Sequence, residues 1–333
     1  MRKSSLSLMI CPNCGNEALE LKDYNSVNED IIEGCLVCTS CEIWYRIENG
    51  IADFLPLSLR RIDLDKKFAD RHKLNLKVPE QKLGISKEKI SQINFFKSNF
   101  RNYEKNVTNS SYYKTLDSVV FADWIKTNLK AGDIVLDAGC GTARQSILLA
   151  QHKVNVIGLD ICEEMLLLAK EKANRLGLDG LIDFFVADVT NPPFKNNSFH
   201  ACILYGILHH LSDKQGAINE VSKKLIPGGH FYSLDPNDSP LRFIFDFMMK
   251  IWKLYDEDSS SEALLSQKKL RQWLNTANIR NKIRYSTYLP PHIFYLLYPS
   301  LNYKLLKITD LVFNKIPLIK TFGGAIISEG MKI

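Results

Sequence analysis

The chain predicts an α/β architecture: a doubly wound, mostly parallel sheet with a small metal-stapled module ahead of it and a helical insertion near the C-terminus. Three observations carry this. From Gly132 onward, short apolar runs alternate with amphipathic stretches, the pattern of a parallel sheet with crossover helices. The first run ends in a glycine-rich turn, Asp137-Ala-Gly-Cys-Gly141. Upstream stand two tight cysteine pairs, Cys11-Pro-Asn-Cys14 and Cys38-Thr-Ser-Cys41.

The 333 residues suffice for one large domain with an appendage, and 45% hydrophobic with 24% charged residues describes an ordinary globular core. No stretch approaches the roughly 20 apolar residues of a membrane-spanning helix. The apolar run at the start is cut short by Cys11-Pro12, so no signal peptide is expected. Five of the eight cysteines crowd into residues 11–41, which suits metal binding in a reducing cytoplasm better than a disulfide framework. The net charge of +6 is uneven: residues 1–50 carry −4, 51–110 carry +6, 111–240 carry −3 and 241–333 carry +7. The two basic segments interleave Lys and Arg with aromatics, which suits an anionic ligand, a membrane surface or an ordinary solvated face.

In the N-terminal module (residues 1–56) two tight turns present two thiolates each, and tetrahedral Zn²⁺ would close between Cys11, Cys14, Cys38 and Cys41. A hairpin around residues 18–34 is too small to fold on its own core, so metal binding and folding should be coupled. Cys35 permits a shifted register, Cys35-x2-Cys38; Gly34, marking the turn into the following strand, favours Cys38 and Cys41 as ligands and Cys35 as a buried apolar residue. The segment Cys38-Thr-Ser-Cys-Glu-Ile-Trp-Tyr-Arg-Ile-Glu-Asn-Gly-Ile-Ala-Asp-Phe-Leu-Pro56 resembles the zinc-ribbon activator subunit of tRNA, rRNA and release-factor methyltransferases. That resemblance, over about 56 residues, implies a structural and activating role; a closed four-thiolate site leaves no position for catalysis.

Residues 57–110 read as a helical linker, with apolar stripes at Leu59, Ile62, Leu64 and Phe68 and at Ile90, Ile93, Phe96 and Phe100, placed to close over the site. In residues 111–333 strands are expected near 134–138, 154–159, 182–187, 199–205 and 229–235, and helices near 142–152, 161–176 and 213–225. Ligands bind such sheets outside the carboxyl ends of the strands. A dinucleotide fold would want a small residue where Arg144 stands, and Asp137 would repel a pyrophosphate; a carboxylate suits a cationic sulfonium better. Asp160 ends the second strand about 20 residues after the glycines, where an acid chelates ribose hydroxyls, and it also suits a helix N-cap. Asp188 ends the third strand and could accept from an adenine amino group.

The blocks Val135-Leu-Asp-Ala-Gly-Cys-Gly-Thr-Ala-Arg, Val156-Ile-Gly-Leu-Asp, Ala187-Asp-Val, Leu208-His-His-Leu211 and Leu225-Ile-Pro-Gly-Gly-His together resemble class I S-adenosylmethionine methyltransferases over about 130–235. The resemblance implies a Rossmann-like seven-stranded sheet and S-adenosylmethionine as cofactor. It implies Gly139 and Gly141 beside the methionine moiety, Asp160 on ribose and Asp188 on adenine, with Asp137, Cys140, Ile161, Val189 and Tyr205 completing the cofactor set. Ala143 stands where a third glycine is common, and His200 where Asp is usual.

Methyl transfer is an in-line displacement that needs alignment and exclusion of water, plus a base for some acceptors. His209, His210 and Asp235 are the candidate catalytic groups, with Tyr205 a further base candidate; the His pair also follows the fourth strand in enzymes with unrelated substrates. Specificity should reside in residues 238–320, where Leu241-Arg-Phe-Ile-Phe-Asp-Phe-Met-Met-Lys-Ile-Trp252 and His292-Ile-Phe-Tyr-Leu-Leu-Tyr298 are unusually aromatic. They suit a packed helical lid, or a greasy tunnel and interfacial helix for a lipid-linked acceptor at the inner membrane surface. RNA is the competing acceptor, weakened by the acidic ribbon and by the lack of an Asn/Asp-Pro-Pro-Tyr motif after the fourth strand. A non-catalytic scaffold is the reading from another class.

Overall fold

The computed structural model describes residues 1–74, 87–254, 264–317 and 319–333. The ribbon supplies β1 (Leu19–Val27), β2 (Asp30–Cys38), β3 (Trp44–Glu48) and β4 (Ile51–Asp53). Helices α1 (Ile62–Arg71), α2 (Lys87–Tyr103), α3 (Ser111–Leu116) and α4 (Ala122–Asn128) follow. The expected alternation then appears as β5 (Ile134–Ala138), α5 (Arg144–Gln151), β6 (Asn155–Asp160), α6 (Glu163–Arg175), β7 (Ile182–Val186), β8 (Phe199–Tyr205), α7 (Lys214–Lys224) and β9 (Leu225–Pro236). The C-terminal part holds α8 (Arg242–Ile251), α9 (Gln267–Thr276), β10 (Ile279–Ser286), α10 (Ile293–Leu296), α11 (Pro299–Phe313) and β11 (Ala325–Lys332).

One continuous sheet contains all eleven strands, in the order β1-β2-β3-β4-β7-β6-β5-β8-β9-β11-β10. The expected seven strands are its β7-to-β10 portion, so a seven-stranded count is too small. The four additional strands are the ribbon's: β4 pairs in parallel with β7, Ala52 against Phe185 and Asp53 against Val186. That pairing covers what would otherwise be an open edge of the parallel sheet. β7 is buried along its whole length; its run Ile-Asp-Phe-Phe-Val is apolar except for Asp183, which is buried with a partner, Arg2. The sequence reading had placed only helices between 238 and 320; β10 lies within that span and pairs antiparallel with β11.

Two large apolar clusters pack on the two faces of the sheet, and both include ribbon residues: Leu36, Ile47 and Phe54 on one face, Ile51 and Leu55 on the other. Ionic contacts tie the same seam. Arg46 of β3, 1% exposed, reaches Glu163 in the first turn of α6 and Asp53 of β4, both at 2.9 Å, and Glu48 at 3.0 Å. Arg2 pairs with Asp183 of β7 at 2.9 Å. A guanidinium fork meets carboxylates bidentately, and the two Arg46–Glu163 hydrogen bonds have that form.

Residues 57–110 contribute α1 and α2, with residues 75–86 between them outside the described set. Phe68 of α1 is buried against Trp44 and Cys35. On α2 the most buried residue is the polar Gln92, while Ile90 and Ile93 pack at the cluster margin. Gln92 turns inward because its amide donates to the His210 carbonyl at the head of the site.

Candidate active site and metal centre

The site begins at the β5–α5 turn. Gly139 (φ +84°), Gly141 (φ +52°) and Ala143 (φ +64°) all adopt left-handed backbone. At Gly139 a Cβ would lie 2.0 Å from Ile207 Cδ1, so a side chain is excluded by sterics as well as by conformation. Ala143 holds a conformation that costs an L-residue roughly 1 kcal/mol, the physical reason a glycine is common there. Asp160, at the end of β6, accepts from the Gly141 N–H at 2.8 Å and the Cys162 N–H at 2.9 Å, one to each oxygen. One carboxylate thereby ties the glycine turn to the start of α6. Burial pushes its pKa above the usual carboxylate range, opposed by those two donors.

A cavity of about 80 Å³ opens at the carboxyl ends of β5, β6 and β7. Gly139, Gly141, Asp160, Ile161, Asp188, Val189 and Tyr205 all line it, as the sequence reading requires of a shared pocket. Two residues of the same set do not. Cys140 lines the neighbouring cavity, and Asp137 lines neither. The Asp137 carboxylate is 1% exposed and accepts from Ser146 Oγ at 2.6 Å on the first turn of α5, so it braces the helix from below. Burial lifts its pKa to about 7.

Helix α2 lies over this cavity, its Lys89, Gln92 and Phe96 forming part of the wall. Lys89 forms an ion pair with Asp188 and a 3.1 Å hydrogen bond to Thr190 Oγ1. Asp188 also accepts from the Thr190 N–H at 2.9 Å.

A second cavity, about 300 Å³, adjoins the first across a shared wall that includes Gly139, Tyr205, Gly206 and His210. Its far walls carry Phe95 of α2, Tyr112, Leu241, Phe245 and Leu289. His209 and Asp235 meet here, with Nδ1 2.8 Å from Oδ1, and the His209 N–H reaches the same oxygen at 3.2 Å. Asp235 Oδ2 is buried and has no partner among the described residues. Burial drives the pair toward its uncharged form, the imidazole down to about 3 and the carboxyl well above its ordinary range. His210 sits beside them, its ring edge-on to Phe96 at 5.4 Å.

Tyr205 donates to Asp117 at 2.8 Å, and Arg144 bonds the other oxygen of Asp117 while its guanidinium lies 4.8 Å from the Tyr113 ring centroid and 5.0 Å from that of Tyr205. Burial raises the Tyr205 phenol far above its ordinary pKa, so it is held as a neutral donor and is a poor base. Asp117, Lys89 and Gln92 were not read as site residues. Lys89 and Gln92 belong to the helical linker and Asp117 to the helical stretch that follows it, with no motif to mark any of them, because the pairing that places them is long-range.

In the ribbon, the sulfurs of Cys11, Cys14, Cys38 and Cys41 all lie within 4.8 Å of one another, with Cys11–Cys41 at 3.6 Å and Cys14–Cys38 at 3.5 Å. A tetrahedral Zn²⁺ with Zn–S near 2.3 Å requires sulfur separations of roughly 3.8 Å, so this donor set fits that ion. Cys35 is separate: fully buried, its thiol lies 3.6 Å from the Tyr24 hydroxyl.

Residues 136–233 match the methyltransferase domain family, and residues 3–50 match the Trm112p-like protein family. The chain therefore joins a Trm112p-like domain to a methyltransferase domain. A probable tRNA methyltransferase 9B from Bos taurus is 33% identical over 103 residues, which is 30% of this chain and 20% of that protein. A demethylmenaquinone methyltransferase from Symbiobacterium thermophilum is 27% identical over 133 residues, 39% of this chain and 53% of that protein. The chain thus spans between a fifth and about half of these relatives' lengths. Among solved structures, Haemonchus contortus phosphoethanolamine N-methyltransferase 2 superposes with a TM-score of 0.50 at 15% identity, over 77% of this chain and 62% of that one, a likeness of fold.

Proposed function

We propose that the chain transfers a methyl group from S-adenosylmethionine to an apolar small-molecule or lipid-linked acceptor. The observation that carries this is the pair of adjoining cavities: one holds the glycine turn and the Asp160 carboxylate, the other is walled mainly by aromatic and aliphatic side chains, with Arg144, Gln145, His209, Asp235 and Arg242 as polar groups among them, and they share Gly139, Tyr205, Gly206 and His210. In this reading Asp160 holds the ribose hydroxyls and Asp188, once released from Lys89, takes the adenine amino group. The bound sulfonium supplies an activated methyl carbon and a thioether leaving group.

The chain's own residues align and desolvate the acceptor. Tyr205, fixed by Asp117 and Arg144, forms a rigid floor at the junction. His209, oriented by Asp235, lines the acceptor cavity; with burial lowering its pKa to about 3 it is a weak base, and its role in this reading is to position the acceptor rather than to take its proton. An acceptor held within near-attack distance in a dry cleft needs little further catalysis.

RNA is the second reading, favoured by the Trm112p-like match and by a relative named as a tRNA methyltransferase. The chain continues after β8 as Gly206-Ile207-Leu208, without the side-chain amide and stacked aromatic that would grip a flipped base.

Calorimetry with S-adenosylmethionine on zinc-loaded protein tests the cofactor site. Asp160→Ala should weaken binding roughly 10- to 100-fold, the worth of hydrogen bonds to a charged group. Labelled methyl offered with a lipid extract or with total RNA then identifies the acceptor class. A folded protein that binds no S-adenosylmethionine would leave the scaffold reading standing.

A further inference from the structure

Helix α8 is seven-tenths apolar or aromatic in sequence, yet none of its residues is buried. Phe243 is 67% exposed, Phe247 63% and Ile251 72%. The patch continues across Trp252, whose ring lies 6.0 Å from that of Tyr295 on α10, to Leu296 at 72% and Tyr298 at 81% exposed. On α11 an outward stripe at helical spacing reads Leu301, Lys304, Ile308 and Leu311, and Lys315 just beyond its end is exposed as they are. Exposed apolar area on this scale is costly in water and marks a surface with an occupant.

We infer that α8, α10 and α11 form a docking surface for an anionic lipid bilayer, from which the acceptor enters the larger cavity. The inference rests on the proposed lipid-linked acceptor and supplies its route: Leu241 at the N-cap of α8, and Ile244 and Phe245 within it, line that cavity.

Charge selects the occupant. Lys250, Lys304, Lys307 and Lys315 are exposed among the apolar residues, and the segment from 241 to 333 carries a net +7. α8 and α11 carry one acid each: Asp246, exposed and paired with Arg242, and Asp310, half-buried and accepting from Ser286. A second copy meeting this face about a two-fold axis would set lysine against lysine, whereas anionic headgroups neutralise them. Trp252, Tyr298 and Tyr303 are the side chains that favour the headgroup level of a bilayer. Among the described residues no helix is long and apolar enough to cross a membrane, so the contact is peripheral.

The test is co-sedimentation of zinc-loaded full-length protein with phosphatidylcholine vesicles, with and without phosphatidylglycerol. Wild type should bind the anionic vesicles, bind less in high salt, and bind phosphatidylcholine weakly. Phe247→Glu with Ile308→Glu, two exposed positions outside both cavities, should lower the bound fraction roughly tenfold or more while S-adenosylmethionine binding stays as in wild type. The inference is overturned if folded wild type stays in the supernatant, if the variant sediments like wild type, or if sedimentation velocity without lipid shows a dimer that these substitutions dissociate. Vesicle binding without S-adenosylmethionine binding would refute the methyltransferase reading and leave the docking surface intact.

Discussion

Removing the Arg46 guanidinium should weaken both the fold and the cofactor site, although Arg46 lies in the ribbon and touches neither cavity. Its side chain is 1% exposed and faces four carboxylates: Asp53, Glu48, Glu163 and, at 3.6 Å, Asp65. Deleting one partner of a buried ionic cluster costs about 3–5 kcal/mol, chiefly by leaving charges without compensation. Here the remaining groups retain partial partners: Asp65 keeps Arg60, Glu48 keeps Arg71, and Asp53 keeps the Leu55 N–H. Arg46→Ala should therefore fall at the lower end, about 3 kcal/mol, read from urea unfolding followed by tryptophan fluorescence. Glu163 opens α6 three residues after Asp160, so losing its bidentate partner also loosens the turn that presents the Asp160 carboxylate. S-adenosylmethionine affinity should drop by roughly tenfold, about 1.4 kcal/mol. Arg46→Lys, which keeps the charge but not the fork, should lie between the two. A stability loss under about 1 kcal/mol would refute the burial argument. A full stability loss with unchanged affinity in protein still folded would refute the coupling to the site.

Chelating the metal, or replacing Cys14 with Ser, should remove one zinc per chain and lower the unfolding midpoint by several kcal/mol equivalent, because the ribbon strands continue the main sheet; Cys35→Ala should keep the zinc, as elemental analysis would show. Lys89→Ala should tighten S-adenosylmethionine binding several-fold by freeing Asp188 from its competing cation, and weaker binding in calorimetry would show that Lys89 assists the cofactor instead. Asp137 has a folded pKa raised to about 7, so the folded state holds its proton over a range where the unfolded carboxyl has lost it. That contribution is complete below about pH 4 and is lost as pH rises toward 7, at roughly 1 kcal/mol per pH unit. Asp137→Asn should accordingly gain stability relative to wild type between pH 4 and 7 in urea titrations at stepped pH, and parallel curves would refute the shift.

The sequence made legible what local periodicity and spacing encode. Strands β5 to β9 and helices α5 to α7 fall where the alternation of apolar runs put them, and the four cysteines converge as their two tight turns demand. Asp160 and the glycines are readable because one turn and the next strand end specify the whole local geometry. Three features were not readable, each for a stated reason. β10 reads Ile-Arg-Asn-Lys-Ile-Arg-Tyr-Ser, mostly polar, and becomes a strand through its pairing with β11. The merging of ribbon and sheet depends on two residue pairs between β4 and β7, separated by more than a hundred residues. Asp137 looked like a ligand for a sulfonium because it precedes the glycines; its environment is set instead by Ser146, nine residues on, which turns the carboxylate into the helix. The same logic explains why the ribbon matters to the site. The four-cysteine cluster lines neither cavity and acts on them through elements it shares with them: the sheet edge at β7, the Arg46–Glu163 fork at the head of α6, and the Pro12 carbonyl that accepts from Asn191, three residues after Asp188. In a chain where both lie in one polypeptide, the two parts are always in register, so cofactor affinity and metal content should rise and fall together.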